Sequence, residues 1–252
     1  MEKDLLSLCG LTIMALGNIF IWKIQAYSVT RTHRWISFGT GASVAYVFVH
    51  VLPEIGIFQK KLLGYVGHNP HGGFLSNHLY LAALGGIFLF YLLDYLESRF
   101  EYKESHLVFH NTHFKHVFFT ELLVYLLYNI LVAYMVTQRP GDGIISLILI
   151  TFGLTLHFIV YNLRVAESYG DLYNKYFRWL TSAGLFLGWG LGVAVNIPMV
   201  VEVTLFSFVG GVITYIALKV ECSHTENRAP FFFMAGILLY TLITLAVPYF
   251  GH

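Results

Sequence analysis

Two ionisable residues, His50 and Glu54, lie four positions apart inside a long apolar stretch. On a helix, this spacing places both side chains on one face. Pro53, between them, frees a backbone carbonyl that can act as a further oxygen ligand, and an imidazole with a carboxylate suits a borderline divalent cation such as zinc. The pair therefore predicts a metal site. The alternative is a helix end, with Glu54 at a membrane interface and His50 hydrogen-bonded to a neighbouring helix.

Glu121 and His157 are two further ionisable residues that lie well inside apolar stretches. An ionisable side chain inside a membrane costs about 2.5–3.5 kcal/mol on insertion scales, so such residues mark candidate functional positions. Asp94 lies nearer the end of its stretch. Lys219 also lies near an end, beside Glu221, which is ordinary for a lysine that extends its ammonium group to the interface. A retinal Schiff base on this lysine is therefore disfavoured.

Four histidines form a second cluster in a more polar part of the sequence. They are His106, His110, His113 and His116. Their spacings of three and four would place them on one side of a helix, which suits weak, exchangeable capture of a metal on the cytosolic side. The alternative is a solvated loop whose charge changes with pH.

The composition decides the class of protein. Of 252 residues, 57% are hydrophobic and 12% are charged, against about 25% charged in ordinary soluble domains. The 17% of aromatic residues excludes intrinsic disorder, and a formal net charge of +1 offers no basic surface to nucleic acid. The two cysteines, Cys9 and Cys222, indicate neither a disulfide framework nor a CxxC site. The composition predicts an all-α, multi-pass integral membrane protein.

Eight apolar segments of near-bilayer length, about 20 residues each, predict eight transmembrane helices in a single transmembrane domain. They lie at residues 5–25, 36–57, 76–97, 117–137, 143–164, 177–197, 200–220 and 230–250. Eleven of the fifteen Lys and Arg residues fall on one side of this arrangement, and positively charged loops remain in the cytoplasm. Both termini are therefore predicted to lie outside. The apolar runs lack the alternation of a β-barrel.

An internal repeat relates two of these segments. Glycine, tyrosine and a basic residue occur at the same offsets, as Gly41, Tyr46 and His50 in the second span and as Gly210, Tyr215 and Lys219 in the seventh. The two spans would cross the membrane in opposite directions, and such inverted-topology repeats are typical of secondary transporters.

Four segments resemble spans of the ZIP-type divalent metal transporters. The second span of that family is a small-residue helix that ends in HxLPE or HxLPD, and it is similar to GTGASVAYVFVHVLPE (39–54). The third, seventh and eighth spans resemble YLAALGGIFLFYLLDYLE (80–97), SFVGGVITYIALKVE (207–221) and PFFFMAGILLYTLITL (230–245). The resemblance implies eight helices in a 3+2+3 arrangement with an inverted repeat, both termini outside and a histidine-bearing cytosolic loop after the third span.

The sequence departs from the family at its transport site. ZIP sites use HNxPE-like and HxxPE-like motifs in spans four and five, and the matching stretches here are YNILV (128–132) and HFIVY (157–161). Asn129 and His157 are retained, whereas Tyr128, Val132 and Tyr161 replace a histidine and carboxylates. Both prolines are also missing, so these two helices need not be kinked.

This loss changes the cargo that the implied site suits. Two neutral ligands cannot offset the dehydration of a divalent cation in a low-dielectric site. His157 and Asn129, with the tyrosine that directly precedes Asn129 in the sequence, suit a softer or singly charged ion, or a small polar molecule. Glu121, about two turns before Asn129, adds one carboxylate nearer the cytosolic end, and His50 with Glu54 would mark the outer end of a path.

The sequence thus predicts a ZIP-fold transporter or binder of a divalent metal such as zinc, or of another small cation, through a carboxylate-poor site. The cation is its substrate, and no resident cofactor is required. The alternative is a non-transporting structural or regulatory subunit of a membrane complex. A membrane enzyme is disfavoured, because neither a nucleophile–base pair nor an HExxH motif occurs. The expected partners are the lipid bilayer and a metal ion, with a homodimer or a larger complex also compatible.

One structural criterion separates these two functions. If a connected polar cavity joins His157 and Asn129 to His50 and Glu54, transport is favoured; if they make separate helix contacts, transport loses most of its support.

Overall fold

The computed structural model describes residues 2–25, 29–66, 77–104, 112–138, 144–223 and 229–246. No residue in these ranges lies in a β-strand, which confirms the all-α prediction. The described residues form eight helices. They are α1 (Glu2–Gln25), α2 (Val29–Tyr46, a π-helical turn at Val47–Val51, then Leu52–Val66), α3 (His78–Glu104), α4 (Thr112–Gln138), α5 (Ile144–Tyr169), α6 (a π-helical turn at Tyr173–Phe177, then Arg178–Ala194), α7 (Met199–Ser223) and α8 (Pro230–Ala246).

Six of these described helices, α1 to α5 and α7, are long and apolar enough to cross a membrane, judged by length and composition. α8 is apolar but shorter, and the regular α-helical parts of α6 and α8 have 17 residues each. Each predicted segment overlaps one helix, but α2, α4 and α7 extend past both predicted ends, and α3 and α5 continue beyond the predicted C-terminal end. The described part of the chain therefore has the features of a multi-pass membrane protein.

The second helix widens just before Pro53. Val47–Val51 form a π-helical turn, in which the N–H of Leu52 donates to the carbonyl of Val47. Proline has no N–H, and its ring collides with the carbonyl four residues earlier, so a regular α-helix cannot pass through this point unchanged. The wider turn accommodates the proline without breaking the helix. His50 lies inside this turn.

Helix contacts divide the bundle into two groups. In the first group, α4 packs on α6, and α1 packs on both α5 and α6. In the second group, α2 packs on α8 and α3 packs on α7. The two groups meet mainly where α2 lies against α5.

The crossing of α2 with α8 is made by two glycines. A Cβ added to Gly41 would collide with the carbonyl of Phe233, and one added to Gly236 would collide with the carbonyl of Phe38. The two backbones are therefore in direct contact, which is how small residues promote helix association in membranes.

The crossing of α3 with α7 has the same construction. A Cβ on Gly86 would collide with the carbonyl of Phe208, and one on Gly211 would collide with the carbonyl of Ala83. In both crossings, the residue three positions before each glycine supplies the carbonyl that contacts the glycine of the partner helix. The α2–α8 and α3–α7 pairs are thus locally equivalent.

Three polar side chains join α1, α5 and α6 inside the first group. Asn162 donates to Asn18 Oδ1 at 3.0 Å, and the Tyr173 hydroxyl lies 2.9 Å from the carbonyl of Asn18 and 3.0 Å from Asn162 Oδ1. All three side chains are fully buried. This cluster was not predicted, because a single asparagine in an apolar segment does not reveal its partner.

The short connection between α6 and α7, residues 195–198, is held by side chains of α4. Gln138 Nε2 donates to the carbonyls of Gly192 and Val195, at 2.8 and 3.0 Å, and to Asn196 Oδ1 at 3.1 Å. The hydroxyl of Tyr134 donates to the carbonyl of Val195 at 3.0 Å. These bonds satisfy carbonyls that the end of α6 leaves without intrahelical partners.

We expect Gln138→Ala to lower the free energy of unfolding by about 1–2 kcal/mol, since it removes hydrogen bonds to partly buried carbonyls. Gln138→Glu has nearly the same size but cannot donate to a carbonyl when ionised, so its loss should be at least as large. Denaturant unfolding of the purified protein in detergent measures both values. Parent-like stability of the glutamate variant would show that these bonds contribute nothing.

Candidate functional site

A column of polar side chains lies along the facing sides of α4 and α5 and is called the polar seam here. Its members are Glu121, Tyr125, Tyr128 and Asn129 of α4 with His157 and Tyr161 of α5. All six are buried, with only 1% of His157 and 9% of Glu121 exposed. Steps of three and four residues place most of these side chains on one face of each helix.

His157 connects the seam to the second group of helices. Its Nδ1 lies 3.2 Å from the hydroxyl of Ser43 in α2, a bond that joins the two groups. The ring centroid of Tyr128 lies 6.3 Å away, in an edge-on orientation. The second ring nitrogen of His157, Nε2, is buried and has no hydrogen-bond partner among the described residues. The imidazole of His157 is therefore fixed by one hydrogen bond, while its second ring nitrogen has no partner among the described residues.

Glu121 lies in the next layer along the seam. The Tyr161 hydroxyl donates to Glu121 Oε1 at 2.7 Å. Tyr125 stacks on the Tyr161 ring with centroids 4.1 Å apart, which fixes the orientation of that tyrosine. Tyr161 of α5 thus holds the carboxylate of the neighbouring helix.

Asn129 is less closely joined to His157 than the motif implies. Its Nδ2 donates to the carbonyl of Tyr125 within α4 at 2.7 Å. A Cβ added to Gly184 of α6 would lie 3.6 Å from its Cβ, so the base of the side chain borders α6. Asn129 and His157 share no hydrogen bond in the described structure. The structure therefore brings His157 and Tyr128 together, with Asn129 at the edge.

Five seam atoms have unused hydrogen-bonding capacity among the described residues. They are Glu121 Oε2, the hydroxyls of Tyr125 and Tyr128, Asn129 Oδ1 and His157 Nε2. A buried polar atom without a partner costs about 1–3 kcal/mol, and more when it is charged. Native proteins contain few such atoms, and a cluster of them calls for an explanation. Each of these atoms could bond to a small polar or charged guest.

The predicted pair His50 and Glu54 lies elsewhere. His50 Nε2 is 3.8 Å from Glu54 Oε2, and both side chains are about one fifth exposed, at 20% and 19%. The ring of Tyr46 stacks on His50 with centroids 5.6 Å apart. His50 lies two turns past Ser43 along α2, which is about 10 Å of helix. α2 continues for twelve residues beyond Glu54, so the pair lies along the helix and not at its tip, and we call its side of the polar seam the His50 end.

An apolar cleft lies between the His50 end and the seam. It is narrow and partly open, and α2, α4, α5 and α7 line it. Val132, Met135 and Leu154 are among its walls. In the described structure an apolar cleft lies between the two predicted groups, and each group makes its own helix contacts, which removes support for transport along one continuous polar path.

The opposite end of the seam carries an ion cluster centred on Asp94. Arg164 Nη2 of α5 donates to Asp94 Oδ1 at 3.2 Å. Lys219 of α7 forms an ion pair with the same oxygen, and the hydroxyl of Tyr215 donates to Asp94 Oδ2. Arg164 lies one turn past Tyr161 on α5, so the cluster adjoins the seam. We call this the Asp94 end.

The histidine cluster is mostly outside the described structure. His106 and His110 lie outside the described residues, and the side chain of His113 does too. His116 is exposed in the first half of α4, and its carbonyl accepts a bond from Thr120 at 2.9 Å. Among the described residues, no group of three or more His, Cys, Asp or Glu side chains is arranged to hold a metal.

Sequence comparison adds no assignment to this geometry. The chain matches no protein-family model and no curated protein. The interpretation of the seam therefore rests on its own residues.

Sequence reasoning missed the aromatic and ionic parts of the site. Tyr125 was not singled out, although its step of four from Glu121 was a usable signal. Arg164 repeats the face of His157 seven residues on, and that spacing was also visible. The pairing of Lys219 with Asp94, in place of a lysine reaching only for the interface, depends on helix contacts that no local pattern reveals.

Proposed function

We propose that this protein is a membrane transporter or binder of a small, singly charged cation, and that the polar seam is its binding site. The observation that carries this proposal is the cluster of buried seam atoms with unused hydrogen-bonding capacity. Four of them are oxygens, and one belongs to the buried carboxylate of Glu121. Oxygen acceptors with one negative charge suit a cation of charge +1.

Charge balance favours a monovalent cargo over zinc. Glu121 is the one carboxylate among the six seam residues, so a bound monovalent cation would be matched by a single negative charge within the seam. A divalent cation there would leave one uncompensated charge, and buried charge is costly unless it is paired. The absence of a three-ligand His, Cys, Asp or Glu group among the described residues points the same way.

The glycine crossings support a ZIP-like arrangement with an inverted repeat. The α2–α8 crossing uses Phe38 and Gly41, and the α3–α7 crossing uses Phe208 and Gly211 in the equivalent places. We therefore propose that α2 corresponds to α7, and α3 to α8, in an inverted repeat, as expected for repeats of opposite orientation. This register pairs Gly41 with Gly211, one residue after the glycine matched in the sequence repeat. Eight spans and outside termini belong to the same proposal.

A non-transporting subunit is the second candidate, and the apolar cleft favours it. Apolar side chains such as Val132 and Leu154 line the cleft between the His50 end and the seam, and they cannot coordinate or hydrogen-bond a hydrated ion. Hydrophobic constrictions of this kind can also be closed gates that later become hydrated. Binding without flux is therefore the result that identifies the second candidate.

We expect the purified protein to bind one rubidium or thallium(I) ion per chain, and His157→Ala to weaken this binding by about tenfold, because the ring fixes the seam against Ser43. Leu154→Ala is the matched control. It also truncates a buried α5 side chain, one turn away in the cleft wall. It should lower stability while leaving the affinity unchanged.

Equilibrium dialysis in detergent measures both affinities, with zinc and cadmium as competitors. No saturable binding of either monovalent ion by folded protein would contradict a cation site in the seam. Binding of zinc in preference to rubidium would contradict the charge argument.

A further inference from the structure

The Asp94 cluster joins helices of both groups. Asp94 belongs to α3 and Lys219 and Tyr215 belong to α7, so these three residues lie within the second group. Arg164 belongs to α5 of the first group and lies 3.2 Å from the same carboxylate. The Arg164–Asp94 pair is therefore a bond between groups, whereas the Lys219–Asp94 pair is a bond within one group.

The position of this bond relates it to the seam. Along α5, His157, Tyr161 and Arg164 follow at steps of four and three, on one face. Among the described side chains, His157 also ties α5 to the second group, through its hydrogen bond with Ser43. About 10 Å of helix separates His157 from Arg164. Two bonds from one face of α5 thus hold the groups together, one in the seam and one at its Asp94 end.

Arg164 and Lys219 would not oppose separation of the two helix groups equally. A buried charge that loses its partner is strongly destabilising, so a simple ion pair across a gate resists separation. Asp94 differs, because Lys219 and Tyr215 move with it. When Arg164 leaves, the carboxylate keeps an ammonium partner and a hydroxyl donor. The arrangement lowers the cost of separating the groups while leaving Asp94 satisfied.

We propose that the Arg164–Asp94 pair is a latch that closes the polar seam at the Asp94 end, and that Lys219 with Tyr215 holds Asp94 when the latch opens. This inference rests on the proposed function, because a latch implies a site that a ligand enters. It also implies that water and cargo reach the seam from the Asp94 end, since the other approach is apolar.

Accessibility of Ser43→Cys to a small, charged thiol reagent tests the latch. The background carries serine at Cys9 and Cys222, and the full chain is reconstituted in vesicles without added cation. Arg164→Gln should raise the labelling rate by at least about tenfold, the size expected for loss of a charged hydrogen bond. Asp94→Asn should raise it similarly. Arg164→Lys, which keeps the charge, should label more slowly than Arg164→Gln.

Lys219→Gln is the matched control, because it removes one cation from the same carboxylate but from within the second group. We expect no faster labelling, since Asp94 would then depend on Arg164 more strongly. Equal acceleration by both glutamine variants would overturn the latch and leave a general stabilising role. Unchanged labelling in folded Arg164→Gln and Asp94→Asn would overturn it too. This labelling requires no cargo, so an absence of cation binding with the predicted labelling pattern would contradict the proposed function alone.

Discussion

Gly86→Ala is expected to lower the free energy of unfolding by about 3 kcal/mol or more, one of the largest effects of any small substitution in this chain. The added methyl group would be driven into the carbonyl of Phe208, which is backbone and cannot rotate away. Relief requires α3 and α7 to separate along their whole crossing. The lost contacts include the packing around Gly211 on the opposing helix.

The adjacent glycine provides the control. A Cβ on Gly85 would meet nothing closer than a ring carbon of Phe208 at 4.0 Å, which is ordinary contact. Gly85→Ala should therefore leave stability unchanged or raise it by up to about 1 kcal/mol, since alanine favours the helix. Denaturant unfolding in detergent compares the two. Equal stability of the variants would contradict the described crossing of α3 and α7.

Glu121→Gln is expected to weaken monovalent cation binding by about 100-fold, because it removes the one negative charge of the seam. Glutamine has the same shape and still offers an oxygen to the Tyr161 hydroxyl. The fold should therefore persist while the affinity falls. Equilibrium dialysis of rubidium or thallium(I) measures the change.

Glu167→Gln makes the same substitution at an exposed position of α5. It should leave the affinity unchanged, because an exposed charge outside the seam is screened by solvent and salt. Tyr161→Phe should have an intermediate effect, since it removes the donor that positions Glu121. If Glu121→Gln and Glu167→Gln behaved alike, the seam would not be the binding site.

The helices were predictable because their signal is local. Apolar runs of bilayer length located all eight helices, and the missing prolines correctly implied that α4 and α5 are unbroken around 128–132 and 157–161. Pro53 likewise disturbs α2, although as a π-helical turn and not as a sharp kink. The turn type depends on how neighbouring helices hold each side of the proline, which the local sequence does not encode.

The site was predictable only in part, because its geometry depends on which helices meet. Family resemblance pointed to His157 and Asn129, yet the described partner of His157 is Ser43, a serine with no local motif. Glu121 was recognised as a costly residue, but its bond to Tyr161 spans two helices. Pairings between distant segments are set by packing, and glycine patches such as Gly86 show that a contact exists without showing which helix makes it.

Cation flux into proteoliposomes tests whether the polar seam carries a monovalent cation across the membrane. Vesicles with an entrapped thallium-sensitive dye would contain the parent protein or Glu121→Gln, with empty vesicles beside them, and zinc flux would be followed with a zinc dye. We expect saturable thallium(I) entry by the parent, little by Glu121→Gln, and no zinc entry above empty vesicles. Zinc entry that survives Glu121→Gln, or no thallium(I) entry by folded parent protein, would contradict transport of a monovalent cation through the seam.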